Sequence, residues 1–119
     1  MALVTGGATG IGAATVEALA ADKVSVALQY SSSAGAAKAI ADQLNSKGAK
    51  VEIFQADLSQ KDSAEKLVAA VKAKLGDIDI LINNAGLMTD ASIIDMSDEL
   101  WDQALNINLT AAFKLIRAC

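Results

Sequence analysis

Thr5-Gly6-Gly7-Ala8-Thr9-Gly10-Ile11-Gly12 is the stretch that decides the fold. It follows a short apolar run, Ala2–Val4, and opens a segment of helical composition. Glycine lets a backbone turn tightly and approach a ligand with no Cβ in the way. The first N–H groups of a helix lack partners and carry the positive end of its dipole. A strand–turn–helix of this kind therefore favours an anion, a pyrophosphate above all. Two rival readings fail, one on residue type and one on spacing. Gly7 and Gly12 have the four-residue gap of a P-loop, yet Ala13 and Ala14 stand where that loop needs a lysine and a hydroxyl residue. Gly10-Ile11-Gly12 is followed by Thr15 where the common G-x-G-x-x-G fingerprint has its third glycine. The plain alternative is a tight turn whose small residues serve packing alone.

Outward from the turn, apolar runs alternate with stretches of helical period. Ala2–Val4, Val24–Tyr30, Val51–Ala56 and Ile78–Ile82 are rich in Val, Ile and Leu, as buried parallel strands are. Ala37, Ile40, Ala41 and Leu44 repeat at i, i+3, i+4 and i+7, as do Ala64, Leu67, Val68 and Val71, with Leu75 a turn further. Gly48 and Gly76 stand where these helices should stop. A fourth helix is predicted from Asp98 to the end, capped by Ser97, with Met96 placed to staple onto Trp101. The alternation predicts one α/β domain with a parallel sheet and right-handed crossovers. The first strand begins almost at Met1 and the last helix lacks a closing cap, so the 119 residues are expected to be a fragment.

Composition removes whole classes of chemistry. The chain holds no histidine, no proline and one cysteine, Cys119. An intrachain disulfide, a Cys/His zinc site and a Ser-His-Asp arrangement are excluded. Ten basic against fourteen acidic residues leave a formal charge of −4, without the basic surface that nucleic acid requires. There is no signal-like N-terminus, and no apolar run of the ~18 residues that span a bilayer. A cytoplasmic protein with no membrane partner is expected.

One polar residue stands out against its surroundings. Trp101, Leu105, Leu109, Ala112, Phe113 and Ile116 form an apolar stripe on the last helix, and Asn108 falls inside it. On a buried face an unsatisfied amide costs ~1–3 kcal/mol, so Asn108 is expected to have a defined partner.

The pattern Thr-Gly-x-x-x-Gly-x-Gly, then Asp57-Leu58, Asn83-Asn84-Ala85-Gly86 and Asn108, resembles the short-chain dehydrogenase/reductase family over residues 2–119. Within it the chain looks closest to 3-oxoacyl-carrier-protein reductases and fungal ketone reductases. The resemblance implies a Rossmann-type, doubly wound parallel sheet in strand order 3-2-1-4, without the strands beyond the fourth. It also implies hydride transfer between NADPH and a ketone or secondary alcohol. Gly6, Gly10, Ile11 and Gly12 would hold the cofactor pyrophosphate, with Thr5 tying the turn to the sheet. Thr9 is counted with them, at a place where many NADP-preferring relatives carry arginine.

The second strand closes Gln29-Tyr30-Ser31-Ser32-Ser33, with no carboxylate to accept from a ribose 2′-hydroxyl. Hydroxyls and helix-start amides would instead receive a 2′-phosphate, so Tyr30, Ser31, Ser32 and Ser33 favour NADP over NAD. The alternative is a serine-rich helix cap. In the family Asp57 accepts from the adenine amino group beside the Leu58 amide; otherwise Asp57 begins a turn and Ser59 caps the next helix. Asn84 and Ala85 would support the loop beside the cofactor ribose, and Gly86 would permit its close approach. Two adjacent amides in this loop also need polar partners, so part of the motif is structural. The resemblance implies that Asn108 is the catalytic asparagine, whose position holds a water in a proton relay; the alternative is a satisfied core asparagine that bonds a loop.

The same family completes its site with a serine and a Tyr-x-x-x-Lys pair. The only tyrosine, Tyr30, is followed four residues later by Ala34. The chain is thus expected to be the cofactor half of a reductase, inactive alone, whose last helix pairs with its copy in a homo-oligomer. A non-catalytic NADP(H)-binding module is the alternative.

Overall fold

Every residue of two of the predicted strands, β1 (Ala2–Val4) and β2 (Val26–Tyr30), is buried, which is why they are apolar on both faces rather than in alternation. The structure is a computed structural model and describes residues 1–119. The remaining elements are α1 (Gly10–Ala21), α2 (Ala34–Ser46), β3 (Val51–Gln55), α3 (Ser63–Leu75), β4 (Ile80–Ile82), α4 (Asp98–Leu105), a π turn (Asn106–Thr110) and α5 (Ala111–Ala118). The sheet is parallel throughout, in the expected order β3-β2-β1-β4. Leu3 stands opposite Ala27 on one side and Leu81 on the other.

Side chains that alternate along β1 and β2 supply two cores. Val4, Val26, Leu28 and Tyr30 meet Val16 of α1 and Ala37, Ala41 and Leu44 of α2. Leu3 and Ala27 meet Leu67, Val68 and Val71 of α3 and Leu115 of α5. Each Val or Leu removed fully from water contributes ~1.5–3 kcal/mol, so the two layers clamp β1 from both faces. The helical repeats read from the sequence are the buried faces of α2 and α3. Gly48 and Gly76 follow those helices with positive φ, and the Ser97 hydroxyl accepts from the Leu100 N–H.

Several expectations need correction. Strand β2 starts at Val26 rather than Val24, because the Val24 N–H turns back to the Leu19 carbonyl. β3 stops at Gln55 rather than Ala56, and β4 is shorter than Ile78–Ile82. The fourth helix runs from Asp98 to Ala118 as expected, with a π turn inserted at Asn106–Thr110. Its apolar stripe, however, is not buried. Trp101 is 49% exposed, Leu109 64%, Phe113 56% and Ile116 65%. The face that α5 turns to α3 is Ala111 and Leu115 instead, so the stripe and Asn108 lie at the surface of the chain. No helix is long and apolar enough to cross a membrane.

Candidate functional site

The helices that follow β1 and β4 pack in the two different cores, α1 in one and α5 in the other, and α/β sheets bind ligands in the crevice that opens at such a point. Here a cavity of about 300 Å³ lies at the carboxyl ends of the strands. It is lined by Gly6, Ala8, Thr9, Gln29, Tyr30, Ser31, Ser32, Ser33, Asp57, Leu58, Ser59, Ala85, Gly86 and Ile107.

The glycine-rich turn forms its floor. Gly6 has φ +61°, a left-handed conformation that disfavours any side chain. Its N–H donates to Gln29 Oε1 at 2.8 Å, and the Gly7 N–H donates to the Gln29 carbonyl at 2.9 Å. A Cβ on Gly12 would stand 2.2 Å from the Gly6 carbonyl oxygen and 2.5 Å from Asn84 Nδ2, so α1 can start this close to the turn only with glycine there. The N–H groups of Gly10, Ile11 and Gly12 have no acceptor within the protein. They are the free donors of a helix start, with the dipole behind them.

Thr5 and Asn84 lock the turn to the loop after β4. Thr5 Oγ1 accepts from the N–H groups of Asn84 (3.1 Å) and Ala85 (3.0 Å) and donates to the Ile82 carbonyl. Asn84 Nδ2 donates to the carbonyls of Thr5 (2.9 Å) and Gly6 (3.1 Å). The structural share expected of the Asn83–Gly86 motif is therefore met by Asn84, and Thr5 ties the turn to the sheet as anticipated.

Ser33 precedes α2, but its side chain makes no capping bond. The hydroxyls of Ser31, Ser32 and Ser33 are exposed and engage no protein group, so side-chain capping does not account for them. Asp57 does shape a turn: its Oδ1 accepts from the Ser59 N–H (3.0 Å) and hydroxyl (2.7 Å), and its Oδ2 from Gln60 Nε2 (3.2 Å). These bonds, the Ser59 hydroxyl first, hold its carboxyl below the ordinary value of 3.8. Ser59 does not cap α3, which starts after Asp62; its hydroxyl is turned back to Asp57.

Asn108 has the defined partner expected of it, though at the surface. Its Oδ1 accepts the Leu87 N–H at 2.7 Å and its Nδ2 donates to the Leu87 carbonyl at 2.8 Å. Ten of the fourteen residues read as cofactor-binding line the cavity; Gly10, Ile11, Gly12 and Asn84 stand just outside it. Ile11 is 80% exposed. Sequence reasoning missed Gln29, which is 2% exposed and joins the turn to the end of β3 through Nε2 and the Ala56 carbonyl at 2.7 Å. An amide inside an otherwise apolar strand was its signal. It also missed Asn106, whose Nδ2 donates to the Ser59 carbonyl at 2.7 Å, a contact 47 residues away that no local pattern announces.

Comparison with known proteins identifies the family. A family model described as short chain dehydrogenase matches residues 1–119. The short-chain dehydrogenase/reductase FrzI of Cladobotryum sp. is 33% identical over 98% of this chain and 45% of its own length. A 3-oxoacyl-[acyl-carrier-protein] reductase of Synechocystis sp. is 36% identical over 99% of this chain and 48% of its own. A crystal structure of a short chain dehydrogenase from Burkholderia cenocepacia in complex with NADP superposes with a TM-score of 0.94 at 38% identity, over 98% of this chain and 48% of that one. The chain spans about half the length of the curated relatives it matches.

Proposed function

The chain belongs to the short-chain dehydrogenase family, and from that premise we propose that it is the NADP-binding half of an oxidoreductase acting on a ketone or secondary alcohol. The observation that carries the cofactor reading is the set of three unpartnered serine hydroxyls lining one cavity, with unpartnered helix-start amides following directly on Thr9, which also lines it. The amides of Gly10, Ile11 and Gly12 suit a diphosphate. Ser31, Ser32 and Ser33 beside Tyr30, with no acidic residue in this segment, suit a ribose 2′-phosphate that a carboxylate would repel. Asp57 keeps acceptor capacity for an adenine amino group next to Leu58, and Ala85 and Gly86 line the opposite wall. The donor set thus fits NADP, which a related structure of the same family holds. When bound, the nicotinamide supplies the hydride.

The residues of this chain seat and orient that group. Thr5 and Asn84 keep the turn and the loop after β4 in one rigid unit. Asn108 occupies the position of the family's relay asparagine; with both amide atoms engaged by Leu87, its side chain frames the loop rather than presenting a free polar group. The serine and the Tyr-x-x-x-Lys pair of the family match nothing here, so the 119 residues alone should bind cofactor without turnover. The exposed stripe of Trp101, Leu109, Phe113 and Ile116 supports a homo-oligomer built through the last helix. A non-catalytic NADP(H)-binding module is the second reading, favoured by the single, buried Tyr30.

Titration of the 119-residue chain with NADPH and NADH, followed by nicotinamide fluorescence, tests the cofactor reading. NADPH should bind about tenfold tighter, the worth of one charge-assisted hydrogen bond to the 2′-phosphate. Equal affinities would remove the NADP preference, and no binding of either at millimolar concentration would remove the function proposed.

A further inference from the structure

Asn106 and Asn108 stand two residues apart in the π turn and hold different loops. Asn106 Nδ2 reaches the Ser59 carbonyl at 2.7 Å. Ser59 is itself fastened to Asp57 by its N–H and hydroxyl. Asn108 grips both backbone groups of Leu87, and a Cβ on the preceding Gly86 would lie 3.2 Å from Asn108 Oδ1. Ile107, between the two asparagines, lines the cavity, as do Ser59 and Gly86. One short segment therefore bridges the two rims of the site.

A π turn holds one residue more per turn than an α-helix and is intrinsically less favourable, so it persists where outside bonds maintain it. These two asparagines supply such bonds. We infer that Asn106 is a positioning residue: by clamping the π turn to the loop after β3, it makes occupation of the Asp57–Ser59 rim fix Asn108 against Leu87 on the other rim. The inference rests on the NADP reading above, with the adenosine end at Asp57, and adds to it a residue and a direct mechanical link between the two ends of the site. Loss of the Asn106 donor should leave adenosine binding in place and uncouple Leu87 from it.

The Leu87 N–H reports this directly, since its acceptor is Asn108 Oδ1. Adenosine 2′,5′-bisphosphate, which has neither nicotinamide nor its ribose, is the probe, and amide hydrogen exchange at Leu87 is the readout. Saturation of the unmodified chain should slow that exchange by about threefold to tenfold, the worth of one hydrogen bond. Asn106→Asp keeps the size and removes the donor; it should bind the probe while Leu87 no longer responds. Asn106→Gln, which keeps the carboxamide, should restore part of the response; if the aspartate variant does not fold, Asn106→Ala is read in its place. Probe binding with no change at Leu87 in the unmodified chain overturns the inference and leaves the cofactor reading standing. A response that survives in Asn106→Asp or Asn106→Ala also overturns it, because the probe then acts on Leu87 by another route. Failure of the unmodified chain to bind the probe counts against the cofactor reading itself, and the inference falls with it.

Discussion

Residues 1–76 and residues 77–119 bury their apolar side chains to very different extents. Of the buried residues, only Ala111 and Leu115 lie beyond Val71, whereas nine of the ten large apolar side chains left exposed lie at Ile80 or later. The first region supplies most of the core, with β1 and β2 covered on one face by α1 and α2 and on the other mainly by α3. The second contributes β4 and part of α5 to that core and turns the rest of its apolar surface outward. Both regions contribute to the cavity, but the first supplies most of its walls and the second one rim. The difference teaches that apolar periodicity marks a face to be covered without saying what covers it. The stripes of α2 and α3 meet the sheet; that of α4 and α5 does not.

The sharpest way to break this contrast is to truncate matched leucines. Leu28, fully buried, should lose about 2–5 kcal/mol on replacement by alanine. Leu109, 64% exposed, should lose less than about 0.5 kcal/mol. Urea unfolding of Leu28→Ala and Leu109→Ala at equal, low protein concentration makes the comparison; a large loss at Leu109 would mean that the second region is covered in solution. Gly12→Ala tests the close packing of the first region. Its Cβ has no room beside the Gly6 carbonyl, so a loss on the order of 1–3 kcal/mol is expected, with NADPH affinity falling as the free amides move. Thermal unfolding and the fluorescence titration read the two effects separately.

The smallest effect expected is the pH response of Asp57. Its folded pKa is depressed below the ordinary 3.8, chiefly by the Ser59 hydroxyl. The stabilisation is therefore complete above the unfolded value and disappears as pH falls through the folded one. The difference in Tm between the unmodified chain and Asp57→Asn should be constant above pH ~5 and shrink below pH ~4. A difference that grows on acidification would show that the Ser59 and Gln60 bonds do not favour the charged form. Asp57 is exposed, so the change is small.

Much of the fold and the site was legible in order along the chain. The buried faces of α2 and α3 and the Ser97 cap follow from short patterns, whereas the strand order and most of the ten cavity residues came through the family resemblance that those patterns carry. What escaped was of one kind. Gln29 bonds to Gly6 and Ala56, Asn106 to Ser59, and Asn108 to Leu87, and these partners are between 21 and 47 residues distant. The π turn within the last helix escaped for the same reason, since its tethers lie in other loops.

The amino-acid sequence by itself determined the glycine turn, the alternation of strand and helix, and the carboxylate-free end of β2, because backbone sterics, capping and charge act over a few residues. Only the tertiary structure decided which apolar stripe is buried, which serines are left without partners, and which loops the two asparagines join. Those outcomes depend on what packs or bonds across the fold, and burial and hydrogen-bond satisfaction are properties of both partners at once.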